Sequence, residues 1–160
     1  ATDRIVEVCA IEVDDDFNEI DSFHAFINPQ RKVPWFVTRI HGLNNEFLDD
    51  KPIFSDIGRD LLLFLEGSEL WAHNMSFDAG MLNAEFARNR LPTLEKVDCR
   101  LNCTLQLARS TFPGQKNSLD ALLDRFAIDR SERRLHGAMI DTRLLVKVYQ
   151  NLVSYRTKTS

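Results

Sequence analysis

The stretch Glu69–Asn89, ELWAHNMSFDAGMLNAEFARN, decides the fold class. Its opening ELWAH is short and apolar enough for a buried strand of a parallel sheet. The polar residues that follow, Asn74 and Ser76, are both of the type that caps a helix, so the segment reads as a strand–turn–helix junction. A second step of the same kind follows, an extended stretch near Val97–Cys103 giving way to a helix over Thr104–Phe112 that stops at Pro113–Gly114. Strands that alternate with helices predict an α/β layer architecture and not a helical bundle.

Before this junction, RIVEVCAIEV from Arg4 to Val13 is a β-branched alternating run. A turn at Asp14–Asp16 and Asn18 leads to a second strand over Glu19–Ile27, which makes an antiparallel hairpin. Pro29 and Pro34 punctuate a loop that runs into IHGL at Ile40–Leu43. A helix is expected from about Ile53 to Glu66, with Pro52 at its start and Gly67 beyond its end. After the central junctions, Ser118 caps SLDALLDRFAI. A last amphipathic helix is expected from Ala138 to about Val153, with Ile140, Leu144, Leu145, Val148, Tyr149 and Leu152 on one face.

The chain has 160 residues, 44% hydrophobic and 28% charged, the size and composition of a single folded domain over residues 1–160. No apolar run approaches a membrane span, and the N-terminus lacks the basic-then-apolar layout of a secretory signal, so a soluble intracellular protein is expected. Cys9, Cys99 and Cys103 show neither zinc spacing nor a Cys-x-x-Cys pair, and reduced thiols are expected. The net charge of −4 is unevenly spread. Residues 1–114 hold 11 basic and 19 acidic residues, whereas residues 115–160 hold 9 basic and 5 acidic. Lys116, Arg125, Arg130, Arg133, Arg134, Arg143 and Lys147 form a basic segment that can steer a polyanion or serve as ordinary solvated helix faces.

Three segments place ionisable groups at strand ends or helix starts. In HNMSFD (His73–Asp78), Asp78 falls in the first turn of a helix after a buried strand, and the carboxyl ends of strands are where α/β sheets bind ligands. The same position also suits a carboxylate that merely stabilises the helix dipole. In LHGAMID (Leu135–Asp141), His136 precedes a helix and Asp141 lies about one turn into it. A neutral histidine beside metal-bound water is a general base, and an aspartate is a hard ligand for magnesium or manganese, but a solvated histidine and a capping aspartate fit this motif as readily. The third, IHGL, puts His41 in a loop, where a lone histidine is more often solvated than functional.

Taken together, HN-x-x-FD followed at a distance by H-G-x-x-x-D resembles motifs two and three of the DEDDh exonucleases, a superfamily with a ribonuclease H-like fold. RIVEV, AIEV, IHGL, FLDDKP, HNMSFDAG, LARSTFPGQKNSLDAL, RFAID and LHGAMID, in this order, extend the resemblance over residues 4–153 to the proofreading epsilon subunits of bacterial DNA polymerase III. The resemblance implies a mixed sheet flanked by helices and a 3′–5′ exonuclease that removes DNA polymerase errors as nucleotide monophosphates. It implies two divalent cations, Mg2+ or Mn2+, clamping the scissile phosphate, with Asp78 and Asp141 as metal ligands and His136 as the base that deprotonates water. Ile40, His41, Asn74 and Phe77 match positions that receive the 3′-terminal nucleotide. The implied partners are a single-stranded or frayed DNA 3′ end and the DNA polymerase III catalytic subunit, in a bacterial cytoplasm.

One part of the family pattern has no counterpart. The first motif, Asp-x-Glu on the central strand, precedes the segment that begins here at Thr2–Asp3–Arg4, and Asp3, Glu7 and Glu12 have the wrong spacing to replace it. The sheet is therefore expected to lack its middle strand, with that strand supplied by a preceding segment, a cleaved piece or another copy. With two of four carboxylates, the sequence alone is expected to be inactive. A 3′–5′ ribonuclease of the same superfamily fits the same segments, and so does a non-catalytic nucleic-acid-binding module that lost the first motif.

Overall fold

A computed structural model of the chain describes residues 4–30, 45–131 and 138–159. The N-terminal hairpin is present as β1 (Glu7–Val13) and β2 (Glu19–Phe26), paired antiparallel from Glu7 opposite Phe26 to Glu12 opposite Asp21, with a register slip between Glu12 and Val13. Its turn is set by Asp14, whose Oδ1 accepts the backbone N–H groups of Asp16 and Asn18, each at 2.9 Å. An aspartate that bonds the backbone two residues on is the side-chain mimic of a turn.

A short helix α1 (Asn45–Leu48) precedes α2 (Phe54–Leu65). The predicted junction follows as β3 (Glu69–Ala72) and α3 (Met75–Arg88), and α3 crosses back to β4 (Arg100–Cys103), which pairs parallel with β3. The chain then forms α4 (Thr104–Thr111), α5 (Leu119–Arg125) and α6 (Ala138–Thr159). Ser118 caps α5 as expected, its hydroxyl accepting the Ala121 N–H at 3.1 Å.

The strands lie in two separate pairs, β1 with β2 and β3 with β4, and no ladder joins the pairs among the described residues. This is the division expected of a mixed sheet without its middle strand. The two pairs nevertheless share their covering layers. Val8, Ala10, Phe23 and Ala25 from the first pair and Leu70, Ala72, Leu101 and Cys103 from the second all pack on one core, whose buried members include Ile5, Ile27, Phe54, Leu61 and Phe86. Phe54 and Phe86 meet edge-to-face with centroids 5.6 Å apart. Burial of each such ring stabilises the fold by about 1.5–3 kcal/mol.

The opposite face of the strands is covered by α6. Cys9 Sγ lies 3.6 Å from Met139 Sδ, and Tyr149 contacts both Phe17 in the hairpin turn and Trp71 on β3, with ring centroids 5.7 and 4.4 Å away. One long helix thus bridges both strand pairs. A second core, Ala108, Phe112, Leu122, Leu123, Leu144, Val148 and Leu152, joins α4, α5 and α6. It uses the apolar stripe read from the sequence of α6. The helix runs to Thr159, past the expected end at Val153, because Arg156 on its added turns donates to the hydroxyls of Ser110 and Thr111 on α4.

Cys9, Cys99 and Cys103 are free thiols. Among the described residues no helix is long and apolar enough to cross a membrane.

Candidate active site

Asp78 stands in the first turn of α3, directly beyond the carboxyl end of β3. The turn that delivers it is made by Asn74, in the left-handed region at φ 83°. Asparagine tolerates that conformation better than most side chains because its short amide bonds locally. Asn74 does not cap α3 through its side chain, and neither does Ser76, contrary to the sequence expectation. With Asn74 left-handed, its backbone carbonyl instead accepts the N–H groups of Phe77 and Asp78 at 3.2 Å, while Ser76 Oγ donates to Asn74 Oδ1 at 3.3 Å.

Solvent reaches Asp78, but the protein atoms crowded around its carboxyl desolvate it enough to raise its pKa from 3.8 to about 6. Burial disfavours the charged form, and no donor or cation among the described residues offsets it. A strongly shifted carboxylate at a strand end marks a candidate functional site. Phe77 beside it is 58% exposed, an aromatic face left open to a planar partner. Residues 75, 76 and 79 share the opposite side of α3 and line a separate cleft of about 540 Å³ with Trp71, Asn102 and Gln106.

Asp141 lies in the first turn of α6. That turn is held against β1 by Glu7, whose Oε2 accepts the Ala138 N–H at 3.2 Å and pairs with His24 Nε2 at 2.7 Å. A carboxylate at a helix N-terminus satisfies an orphan donor and the helix dipole together. Glu7 was not assigned a role from the sequence, although one signal was there: it is the lone acid in an apolar stripe with Cys9, Ile11 and Val13 on one side of β1. Its observed role is to seat α6.

Of the remaining sequence-predicted site residues, Asn74 and Phe77 stand beside Asp78, whereas Ile40, His41 and His136 lie outside the described residues. Among the described residues no group of three or more His, Cys, Asp or Glu side chains is placed to hold a metal ion. Asp78 and Asp141 offer hard oxygen donors of the kind magnesium and manganese select, but two carboxylates fall short of the set that two dications require.

The basic segment also has internal work. Arg125 donates to Asn117 Oδ1 and to the Lys116 carbonyl, Arg130 pairs with Asp120 and Asp124, and Arg143 pairs with Glu19. These three cations favour the reading as structural helix faces over the one that aims them at a polyanion. Arg133 and Arg134 lie outside the described residues.

Residues 1–149 match the model of the RNase_T family, described as Exonuclease. The chain belongs to this exonuclease family. Two curated relatives named DNA polymerase III subunit epsilon, from Rickettsia conorii and Pasteurella multocida, are 45% and 38% identical to it, each over 96% of this chain. The chain spans 67% and 60% of their respective lengths. Among solved structures, one described as Exonuclease X in complex with 5′ overhanging duplex DNA aligns over 94% of this chain and 82% of its own, with a TM-score of 0.68 and 26% identity. The exonuclease I chain of an ExoI/SSB-Ct complex aligns over 99% of this chain and 39% of its own, with a TM-score of 0.84 at 17% identity, a likeness of fold alone. The ribonuclease H-like α/β fold and the DEDDh membership expected from the motifs are those of this family.

Proposed function

We propose that the protein is a divalent-metal-dependent 3′–5′ exonuclease acting on DNA ends, the proofreading component of a bacterial replicative polymerase. The observation that carries the reading is the placement of HNMSFD: Asp78 and Phe77 emerge together at the carboxyl end of the parallel strand pair, one a desolvated carboxylate and the other an open aromatic face. The name shared by the curated relatives supports DNA over RNA as substrate and a polymerase III subunit as partner.

In this reading Asp78 and Asp141 hold a divalent cation, magnesium or manganese, which when bound supplies charge stabilisation at the scissile phosphate. Phe77 stacks on the terminal base and Asn74 contacts the terminal sugar, with Ile40 and His41 completing the pocket. Stacking is indifferent to base identity, as a proofreader requires. Selection of errors then rests on the ease with which a mismatched terminus frays. His136 takes the proton from the attacking water. In this reading the further carboxylates that a two-metal site needs come from the Asp-x-Glu motif of the family pattern.

The test uses the full-length protein, an oligonucleotide duplex with a mismatched 3′ end, and magnesium or manganese. Nucleotide monophosphates should be released from the 3′ end, faster from DNA than from a matched RNA, and Asp78→Ala, Asp141→Ala and His136→Ala should each abolish release. Release unaffected by these substitutions would sink the proposal, and tight DNA binding with no metal-dependent cleavage would favour a binding module.

A further inference from the structure

The residue that immediately precedes the candidate site, His73, takes no part in the chemistry described above, yet it is the most fully bonded histidine of the described residues. Its ring is half-buried between two partners from distant parts of the chain. Nε2 lies 2.7 Å from the backbone carbonyl of Asn117, and Nδ1 lies 2.8 Å from Oγ1 of Thr104. A carbonyl only accepts, so Nε2 must carry the proton. Burial, and then the positive charge of Arg109, hold the ring pKa below the usual histidine range despite the opposing effect of the Asn117 bond. The ring is therefore neutral, Nδ1 is an acceptor, and the fully buried Thr104 hydroxyl donates to it.

Each partner is itself fixed. Thr104 opens α4. Asn117 is buried and its side chain is fully used: Nδ2 donates to the carbonyls of Phe112 and Gln115 at 3.2 and 3.0 Å, and Oδ1 accepts from Arg125 at 3.0 Å. Arg125 is held in turn by the Lys116 carbonyl and by the Phe112 ring, 4.6 Å beneath its guanidinium carbon. On its other side, His73 is covalently joined to Asn74, whose left-handed backbone presents the carbonyl that accepts the Asp78 N–H. One continuous set of bonds thus runs from α5, through the turn at 113–118, to the turn that aims Asp78.

We infer that His73 is a positioning residue for the candidate site, a clamp that fixes the strand-to-helix turn from which Phe77 and Asp78 follow. This rests on the exonuclease reading for what is positioned, whereas the clamp itself rests on the bonds above. A left-handed asparagine is held in place by its surroundings, and His73 is the anchor next to it.

The experiment uses the full-length protein with manganese as the probe, its affinity read by electron paramagnetic resonance, together with kinetics on the mismatched duplex and ¹⁵N spectra of the histidine rings. His73 should give the neutral Nε2–H tautomer near pH 8. Thr104→Val, nearly isosteric but without the hydroxyl, should weaken manganese binding and lower kcat several-fold with KM little changed. Thr104→Ser should restore both. His73→Ala should reproduce the Val variant, and if it fails to fold the Thr104 pair still decides. A Thr104→Val protein with unchanged manganese affinity and kcat, or a His73 ring protonated on Nδ1, overturns the clamp. Loss of manganese binding in Asp78→Ala but not in the clamp variants overturns the positioning role and leaves the exonuclease reading intact, whereas binding indifferent to all of them overturns both.

Discussion

Asn117→Ala removes a side chain whose every polar atom is engaged, and its cost can be worked bond by bond. The bond from Nδ2 to the Phe112 carbonyl is buried; that carbonyl keeps the Gln115 N–H at 3.3 Å, so the loss is that of one buried bond, about 1–1.5 kcal/mol. The bonds to the Gln115 carbonyl and from Arg125 are partly buried; water can replace them in part, which puts each near 0.5–1 kcal/mol. The total is about 3 kcal/mol, a sizeable share of the 5–15 kcal/mol that holds a domain together. For a chain of this length each kcal/mol shifts Tm by about 2–4 °C, so thermal unfolding should fall by roughly 6–12 °C. Asn117→Asp is the sharper control. It keeps an acceptor for Arg125 but turns a donor pair into oxygen facing two carbonyls, so at neutral pH it should be at least as damaging as the alanine. Circular dichroism melts and urea midpoints measure both. A fall of less than about 2 °C for Asn117→Ala, or an Asn117→Asp protein as stable as the parent, refutes the network as a stabilising element.

Two further outcomes follow from particular contacts. The folded-state pKa of Asp78 is raised from 3.8 to about 6, so its contribution to stability is full below pH 3.8 and is lost as pH rises through about 6. Asp78→Asn, which cannot ionise, should therefore melt above the parent near pH 7 in the presence of a chelator, with the difference shrinking toward pH 4; a difference independent of pH contradicts the desolvated carboxylate. Gly58→Ala on α2 would set a methyl group 2.9 Å from Phe54 Cε1 and 3.1 Å from Leu91 Cδ1. Despite the better helix propensity of alanine, this crowding should destabilise the protein by about 1–3 kcal/mol in urea titrations, and a stabilised variant would show that the Phe54 ring yields freely.

What the sequence determined by itself was local or periodic. The hairpin follows from β-branched alternation about an Asp-rich turn, α5 from the Ser118 cap, and the buried face of α6 from an apolar spacing that returns every third or fourth residue. The α/β class and the position of Asp78 at a strand end follow from the strand–turn–helix junction, because a short apolar strand and a helix are each specified by neighbouring residues. Propensity names Asn74 and Ser76 as side-chain caps of α3 but does not reveal that Asn74 is left-handed, which turns its carbonyl and not its side chain to the first N–H groups of the helix. The roles of Glu7, His73 and Asn117 were likewise settled only by tertiary structure. Their partners lie 131, 31 and 44 residues away in the chain, and a hydrogen bond of that reach exists only once the core has brought its two ends together. The shifted pKa of Asp78 belongs to the same class, since desolvation is a property of what surrounds a carboxyl and not of the residue that bears it.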